Sequence, residues 1–392
     1  MSSEEKLLHK IQGLFYFTTS LAGIFLSLYL FKLGGFQAVI KFGIISLSML
    51  FVLCIASGWF LKKYPSKYLM IAGLIIFTVF YGLLFLLREK SLTYLIPLAI
   101  ISGTGYGFFW PGNNLTTYIV TKEHSRNEFF GKLAFFMNVG MGMGTIIAGT
   151  IIQLSGIFLT KDIGYATVFL LVAIFMFILS LITLRLPKHS GIDFSLSHII
   201  FHKRQKNWKI ILMQQFLYGC MDVAFAAFSA VLIFLILKQE FYLGAQNTIS
   251  TIIFAIASLI AGKMLQKNPK RYLLGILSPL GLLIFALQQN WIGILSLIFI
   301  NNVFMPFLGI TTAKSVYDVI DKSQESWQNK YHFLIERDSA LGLGRIINYL
   351  ILLFFINPTN QMTVAKTWIF IVPIIPLLIL ILQWWQYKKS EV

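Results

Sequence analysis

The chain has 392 residues, of which 57% are hydrophobic and only 12% charged. A soluble protein of this size could not cover so much apolar surface, so the composition excludes a soluble globular enzyme and points to a polytopic α-helical membrane protein. The net charge of +17 would suit a nucleic-acid binder, but the cations sit in the connectors between apolar segments, where they orient a membrane protein.

Residues 1–10 are polar and lead directly into a full-length apolar segment, with no pattern of a cleaved signal. Twelve apolar segments are expected, at 11–31, 36–61, 68–87, 92–119, 130–156, 163–186, 210–237, 244–262, 272–288, 291–317, 331–356 and 363–386. Most reach the ~20 residues that cross a ~30 Å hydrocarbon core. An even number of spans puts both termini on one side. Of the 32 Lys and Arg, 23 fall on the side that holds the termini and seven on the other. The positive-inside rule therefore predicts cytoplasmic termini in a multi-pass protein of the cell (plasma) membrane.

Span one carries no charge but offers Gln12, Tyr16, Thr18, Thr19 and Ser20. Span four contains Trp110, Pro111, Gly112, Asn113 and Asn114. Pro111 lacks a backbone donor and should kink or break the helix, leaving freed carbonyls and two amides for a cavity or a helix contact. Span five holds Gly140, Gly142, Gly144 and Gly149, which read as close helix packing. Cys54 and Cys220 lie in apolar segments and form neither a disulfide framework nor a metal site.

The longest connector, 187–209, reads as a basic amphipathic linker on the inner leaflet. His198 and His202 stand at i, i+4, but Asp193 is the one nearby acid, so the sequence predicts no metal site there.

Span seven holds Gln215, Tyr218 and Asp222. Asp222 lies about 18 Å along the helix, near the midplane. Span ten has Asn301 and Asn302 before Pro306. Asn-bearing, Pro-interrupted helices in both halves point to a transporter site. Span eleven carries Glu336, Arg337, Asp338 and Arg345, with Arg345 about 21 Å in. Charges at that depth are costly, so Asp222 and Arg345 are expected to pair, as a substrate or proton site or as a static bridge.

The two halves repeat each other. Residues 58–69 align with 262–273 at an offset of 204, sharing Gly, Leu, Lys, Pro, a cation, Tyr and Leu. Residues 142–147 align with 342–347 at an offset of 200. An internal duplication follows, with domains at 1–186 and 210–392 flanking the linker. Twelve spans as six plus six, the basic central connector and the signature after span two resemble the major facilitator superfamily, and more remotely its poorly characterised members from Gram-positive bacteria. Gly58, Lys63 and Lys67 fit that signature. Lys62 stands where the family has its acid, Pro65 where it has Gly and Ser66 where it has a cation. The proline of the family's antiporter motif in span five is absent.

The resemblance implies an all-α fold of two six-helix bundles related by a pseudo-two-fold, with a cavity lined by spans one, four, seven and ten. It also implies a cytoplasmic gate at the span-two connector. With Lys62 replacing the acid, the gate would be charge-swapped: Lys62 facing Glu336 and Asp338, and Lys267, Lys270 and Arg271 facing Glu123 and Glu128. The expected function is secondary active or facilitative transport of a small solute by alternating access. A lipid or lipid-linked sugar flippase and a non-transporting receptor or scaffold are the alternatives. The site residues expected are Asp222, Arg345, Asn113, Asn114, Asn301, Asn302, Gln215, Tyr218 and Trp110. No Walker loop, zinc helix or other enzyme signature occurs, and no cofactor or nucleic-acid partner is expected. The expected partners are a small-molecule substrate, a coupling proton or ion, and the bilayer, with the protein acting as a monomer.

Overall fold

In the computed structural model the described backbone covers residues 2–121, 123–189, 191–201, 204–323 and 325–390. The side chains of 123–131, 200–201, 327–328 and 389–390 fall outside the description. All regular structure among the described residues is helical. In chain order the helices are α1 (Ser3–Leu61), α2 (Ser66–Leu87), α3 (Leu95–Val120), α4 (Glu123–Phe158), α5 (Lys161–Thr183), α6 (Leu196–Phe201), α7 (Lys206–Gly219) and α8 (Asp222–Leu237). They continue as α9 (Glu240–Lys267), α10 (Ser278–Gln288), α11 (Trp291–Ser296), α12 (Asn302–Lys322), α13 (Trp327–Phe355), α14 (Gln361–Ile371) and α15 (Ile374–Ser390).

Among the described residues, ten helical stretches are long and apolar enough to cross a membrane. Two features reconcile ten with the twelve spans read from the sequence. The first is α1, whose 59 residues would make about 88 Å of helix, far more than one ~30 Å core requires. It breaks at Gly34 and Gly35, where Gly35 takes φ 66°, a left-handed conformation that favours glycine. Spans one and two therefore meet at two glycines with no loop between them. The second is α3, 26 residues long, whose Gly, Pro and Asn residues interrupt its apolar run and keep it out of the ten.

The chain divides into two compact units. Unit 1 comprises 1–194 together with 237–248, and unit 2 comprises 195–236 and 249–392. The central connector is thus shared out. Its first part packs in unit 1, where Phe194 lies edge-on to Trp59 with ring centroids 5.1 Å apart. Its second part, including α6, belongs to unit 2.

Unit 1 is built from long continuous helices held by glycine contacts. A Cβ at Gly103 would sit 2.2 Å from the Ser46 carbonyl oxygen, and one at Gly107 2.6 Å from Leu53 Cβ, so α3 lies directly against the second half of α1. Without a hydrophobic drive between helices in lipid, such close packing supplies the association energy. An aromatic core fills the centre, with Phe15 and Phe109 stacked at 3.8 Å.

Unit 2 is built from interrupted helices. Span seven breaks at Cys220–Met221, between α7 and α8. Span nine opens with a 3-10 segment, Pro269–Leu277. Span ten contains a π-helical turn, Leu297–Asn301, between α11 and α12. Span twelve breaks at Val372–Pro373, between α14 and α15.

The helix expected to kink or break at Pro111 does not break: it is helical from Leu95 to Val120 with Pro111 inside. Proline removes only one backbone donor, and the neighbour helix clamps the next residue: a Cβ at Gly112 would lie 2.8 Å from the Ser66 carbonyl oxygen. In span ten the irregularity likewise falls at the π turn, ahead of Pro306.

Candidate functional site

The candidate site is built on the break between α7 and α8. Gly219 ends α7, and a Cβ there would meet the Leu341 carbonyl oxygen at 2.1 Å. Across the contact, a Cβ at Gly344 would meet the Phe216 carbonyl oxygen at 2.1 Å. The two glycines bring the backbones of α7 and α13 together. Arg345, the next residue of α13, then reaches the start of α8.

Asp222 is the first residue of α8, a position that a carboxylate favours through the helix dipole. Its Oδ1 accepts the Val223 amide at 2.6 Å. The Arg345 Nε donates to Oδ1 at 3.1 Å and to Oδ2 at 3.0 Å, and Nη2 donates to Oδ2. This is a forked guanidinium–carboxylate pair, the strongest common ion-pair geometry. It is not sealed: the side chains are 19% and 16% exposed. Tyr218 and Tyr349 lie within electrostatic range of both charges. Tyr349 is buried, so the arrangement offers a carboxylate, a guanidinium and the half-buried Tyr218 phenol to a polar solute or a proton.

The match to known proteins follows this architecture. The family model described as Major Facilitator Superfamily matches residues 11–324. The chain belongs to the Major Facilitator Superfamily. Its sequence is similar to the uncharacterised protein YqgE of Bacillus subtilis (strain 168), with 25% identity over 356 residues, 88% of this chain and 81% of that protein. Its fold is similar to that of the E. coli fucose:proton symporter FucP, with a TM-score of 0.65 and 16% identity over 97% of this chain and 98% of that one. It is likewise similar to the nucleoside transporter NupG, with a TM-score of 0.64 and 16% identity over 97% of this chain and 99% of that one. At these identities the solved structures speak for the fold.

Other superfamily positions singled out in the sequence fall into separate clusters. In unit 1, Gln12 Nε2 donates to Asn113 Oδ1 and to Thr117 Oγ1, both at 2.8 Å, so Asn113 ties α1 to α3. Asn114 is half-buried one residue on. Trp110 packs among Phe15, Tyr16 and Phe109. In unit 2, Asn301 and Asn302 flank the end of the π turn, with Asn302 N–H bonded back to the Leu297 carbonyl. Gln215 is half-buried on α7.

Three residues of the expected gate, Lys67, Glu336 and Asp338, have partners within their own units. Lys67 is buried and donates to the carbonyls of Leu184 and Leu186 at 3.0 and 2.7 Å, capping the end of α5. Lys62 and Lys63 are exposed. Glu336 is 7% exposed, receives two Arg204 nitrogens and accepts from Trp208 Nε1 at 2.7 Å. Asp338 pairs with Arg337 at 2.6 Å. Lys267, Lys270 and Arg271 are exposed, and the side chains of Glu123 and Glu128 lie outside the described residues.

Two features escaped the sequence. One is Glu240, fully buried in unit 1 and held by Lys32 at 2.5 Å and Lys161 at 2.8 Å. In the sequence it lies in the connector between the apolar segments 210–237 and 244–262, and nothing in its neighbours marks it. The other is a cavity of about 730 Å³ in unit 2, bordered by Arg204, Trp208, Asp318, Lys322 and Glu325. Neither Asp222 nor Arg345 lines it. The Asp222–Arg345 pair sits at a break within a membrane-spanning helix, so the pair is the better candidate for solute chemistry.

Proposed function

We propose that the chain is a secondary transporter, not an enzyme, that moves a small polar solute across the cell membrane by alternating access. Both termini lie on the cytoplasmic side in this reading, with the six-span halves at 1–186 and 210–392 as the moving bodies. The observation that carries it is the part-exposed Asp222–Arg345 pair at a break in a membrane-spanning helix. Broken helices place helix ends and unpaired backbone groups at transporter sites. Ionisable residues inside spans are functional by default. The pair serves either as the anchor of a solute carrying hydroxyl or zwitterionic groups, or as the group whose protonation drives transport. The half-buried Tyr218 supplies a hydrogen bond to the same solute. Superfamily relatives described as a fucose:proton symporter and a nucleoside transporter support solutes of this size and polarity.

Reconstituted protein should take up some member of a panel of sugars, nucleosides and small zwitterions into proteoliposomes. Asp222→Asn should abolish that uptake while the protein still folds and inserts. Normal uptake by a well-folded Asp222→Asn protein would remove Asp222 from the mechanism. No uptake across the panel, together with shuttling of labelled lipid, would favour the flippase reading.

A further inference from the structure

Away from the Asp222–Arg345 pair, unit 2 gathers two imidazoles and a carboxylate from three separate segments. His198 comes from α6, in the second part of the central connector. Glu325 comes from the turn between α12 and α13, and His332 from the second turn of α13. One ligand atom from each lies within 4.8 Å of the other two. His198 Nε2 stands 4.0 Å from Glu325 Oε2, and the two histidine rings have centroids 4.5 Å apart.

The surroundings hold the His332 and Glu325 atoms in ligand form. His332 Nδ1 lies 2.8 Å from the Asn329 carbonyl oxygen, which only accepts, so Nδ1 carries the proton and Nε2 keeps its lone pair. Metal-bound histidines are characteristically oriented in this way by a carbonyl on the far nitrogen. Nε2 now accepts the Ser195 amide at 3.1 Å, and Ser195 is exposed, so water can replace that bond. On Glu325, Oε1 takes the Arg204 Nη1 at 2.8 Å. Oε2 is buried, faces His198 and takes no hydrogen bond among the described residues. Arg204 fixes the carboxylate without occupying the oxygen that a metal would use.

We infer that His198, Glu325 and His332 form a binding site for a zinc-class divalent cation, which ties the connector helix α6 to the start of α13. Two imidazole nitrogens and one carboxylate oxygen are a donor set suited to zinc, with a water in the fourth position. Tetrahedral zinc, with bonds of about 2.0–2.2 Å, spaces its ligands roughly 3.3–3.5 Å apart. The observed spacings, 4.0 Å between His198 and Glu325 and at most 4.8 Å overall, exceed this by up to about 1.4 Å, within reach of side-chain rotation. His332 is 2% exposed. His198 and Glu325 are 28% and 23% exposed, which leaves the fourth position open to solvent. The competing arrangement is a protonated His198 paired with Glu325 and no metal.

The test uses full-length, tag-free protein in detergent, stripped with chelator. Cobalt(II) is titrated as a spectroscopic probe for zinc. One equivalent should bind with the intense visible absorption of a low-coordinate histidine-bearing site, and zinc should displace it. His198→Ala and Glu325→Gln, at part-exposed positions, should each lower cobalt affinity at least tenfold. His9→Ala, in unit 1, should leave it unchanged. Zinc should raise the melting midpoint of the wild type and not of His198→Ala. A wild type without the one-equivalent signal, or a signal unchanged in both variants, overturns the site. A midpoint that responds to pH but not to metal assigns the cluster to the ion pair and overturns it equally.

Discussion

The same helix contact is made twice in this molecule, once without charge and once with it. In unit 1, a Cβ at Gly144 of α4 would meet Ser20 Oγ at 2.0 Å, the Phe17 carbonyl oxygen at 2.7 Å and the Leu21 nitrogen at 3.2 Å of α1. In unit 2, a Cβ at Gly344 of α13 would meet the Phe216 carbonyl oxygen at 2.1 Å and the Cys220 nitrogen at 3.1 Å of α7. The register is the same in both: Phe17 answers to Phe216, and Leu21 to Cys220. It follows that Gly23 stands where Asp222 stands, and Thr145 where Arg345 stands. The duplication kept the glycine that lets two helices touch. Only the second copy turned the adjoining positions into an ion pair and broke the helix beside it. In the first copy Thr145 bonds back to its own helix and α1 runs on. Packing was retained in both halves, and chemistry was placed in one.

The largest expected effect separates the two glycine contacts. Gly344→Ala drives a Cβ into backbone, which cannot swing aside, and should cost about 3 kcal/mol or prevent folding. Gly144→Ala meets a serine hydroxyl, which can rotate, and the Phe17 carbonyl oxygen at a looser 2.7 Å, and should cost less, about 1–2 kcal/mol. Thermal unfolding in detergent measures both. Equal losses would mean that the two contacts are not the same device under different constraints.

Next comes the charge itself. Arg345→Gln leaves Asp222 without its guanidinium and should destabilise by about 2 kcal/mol, less than a sealed pair because both side chains reach solvent. Asp222→Asn plus Arg345→Gln should be more stable than the sum of the single changes by about 1–2 kcal/mol. Strict additivity in the same unfolding assay would show that the pair carries no coupling.

Unit 1 has its own buried acid, and it is wired differently. Glu240 is held by two lysines, themselves 32% and 43% exposed, so losing either leaves one partner. Lys32→Met or Lys161→Met should each cost about 0.5–1 kcal/mol, and the two together clearly more than their sum. A single change as harmful as Arg345→Gln would erase the contrast between one partner and two.

Much of this was legible in the sequence, for reasons tied to particular residues. Asp222 and Arg345 stood out because a charge deep in an apolar span has few ways to be satisfied. The Gly142–Ile147 repeat pointed to close packing, and Gly144 and Gly344 are where it occurs. The break at Cys220–Met221 was not legible, because no proline or glycine pair marks it; it arises where α13 presses on α7. Lys67 fitted a gate motif by position, yet its ammonium is spent on the carbonyls that end α5. Such a partner, 117 residues away, leaves no trace in local spacing. His198 was weighed against His202, its neighbour in sequence, whereas the fold sets it beside His332 and Glu325.

The smallest effect is also of the opposite sign. Gly23 is helical and exposed, and a Cβ there would meet no heavy atom within 4 Å, so nothing in unit 1 requires glycine at this position. Gly23→Ala should therefore stabilise by about 0.4 kcal/mol, by helix propensity and a less disordered unfolded chain. Gly23→Asp has the room but not the partner, because Thr145 carries no charge, and should destabilise. Adding Thr145→Arg to Gly23→Asp should recover part of that loss, since the shared register puts the new pair where Asp222 and Arg345 stand in the other half. Melting midpoints of the three variants decide it. Recovery would show that the two contacts are interchangeable frames, and a further loss in the double variant would show that the break between α7 and α8, absent from α1, is what makes room for the pair.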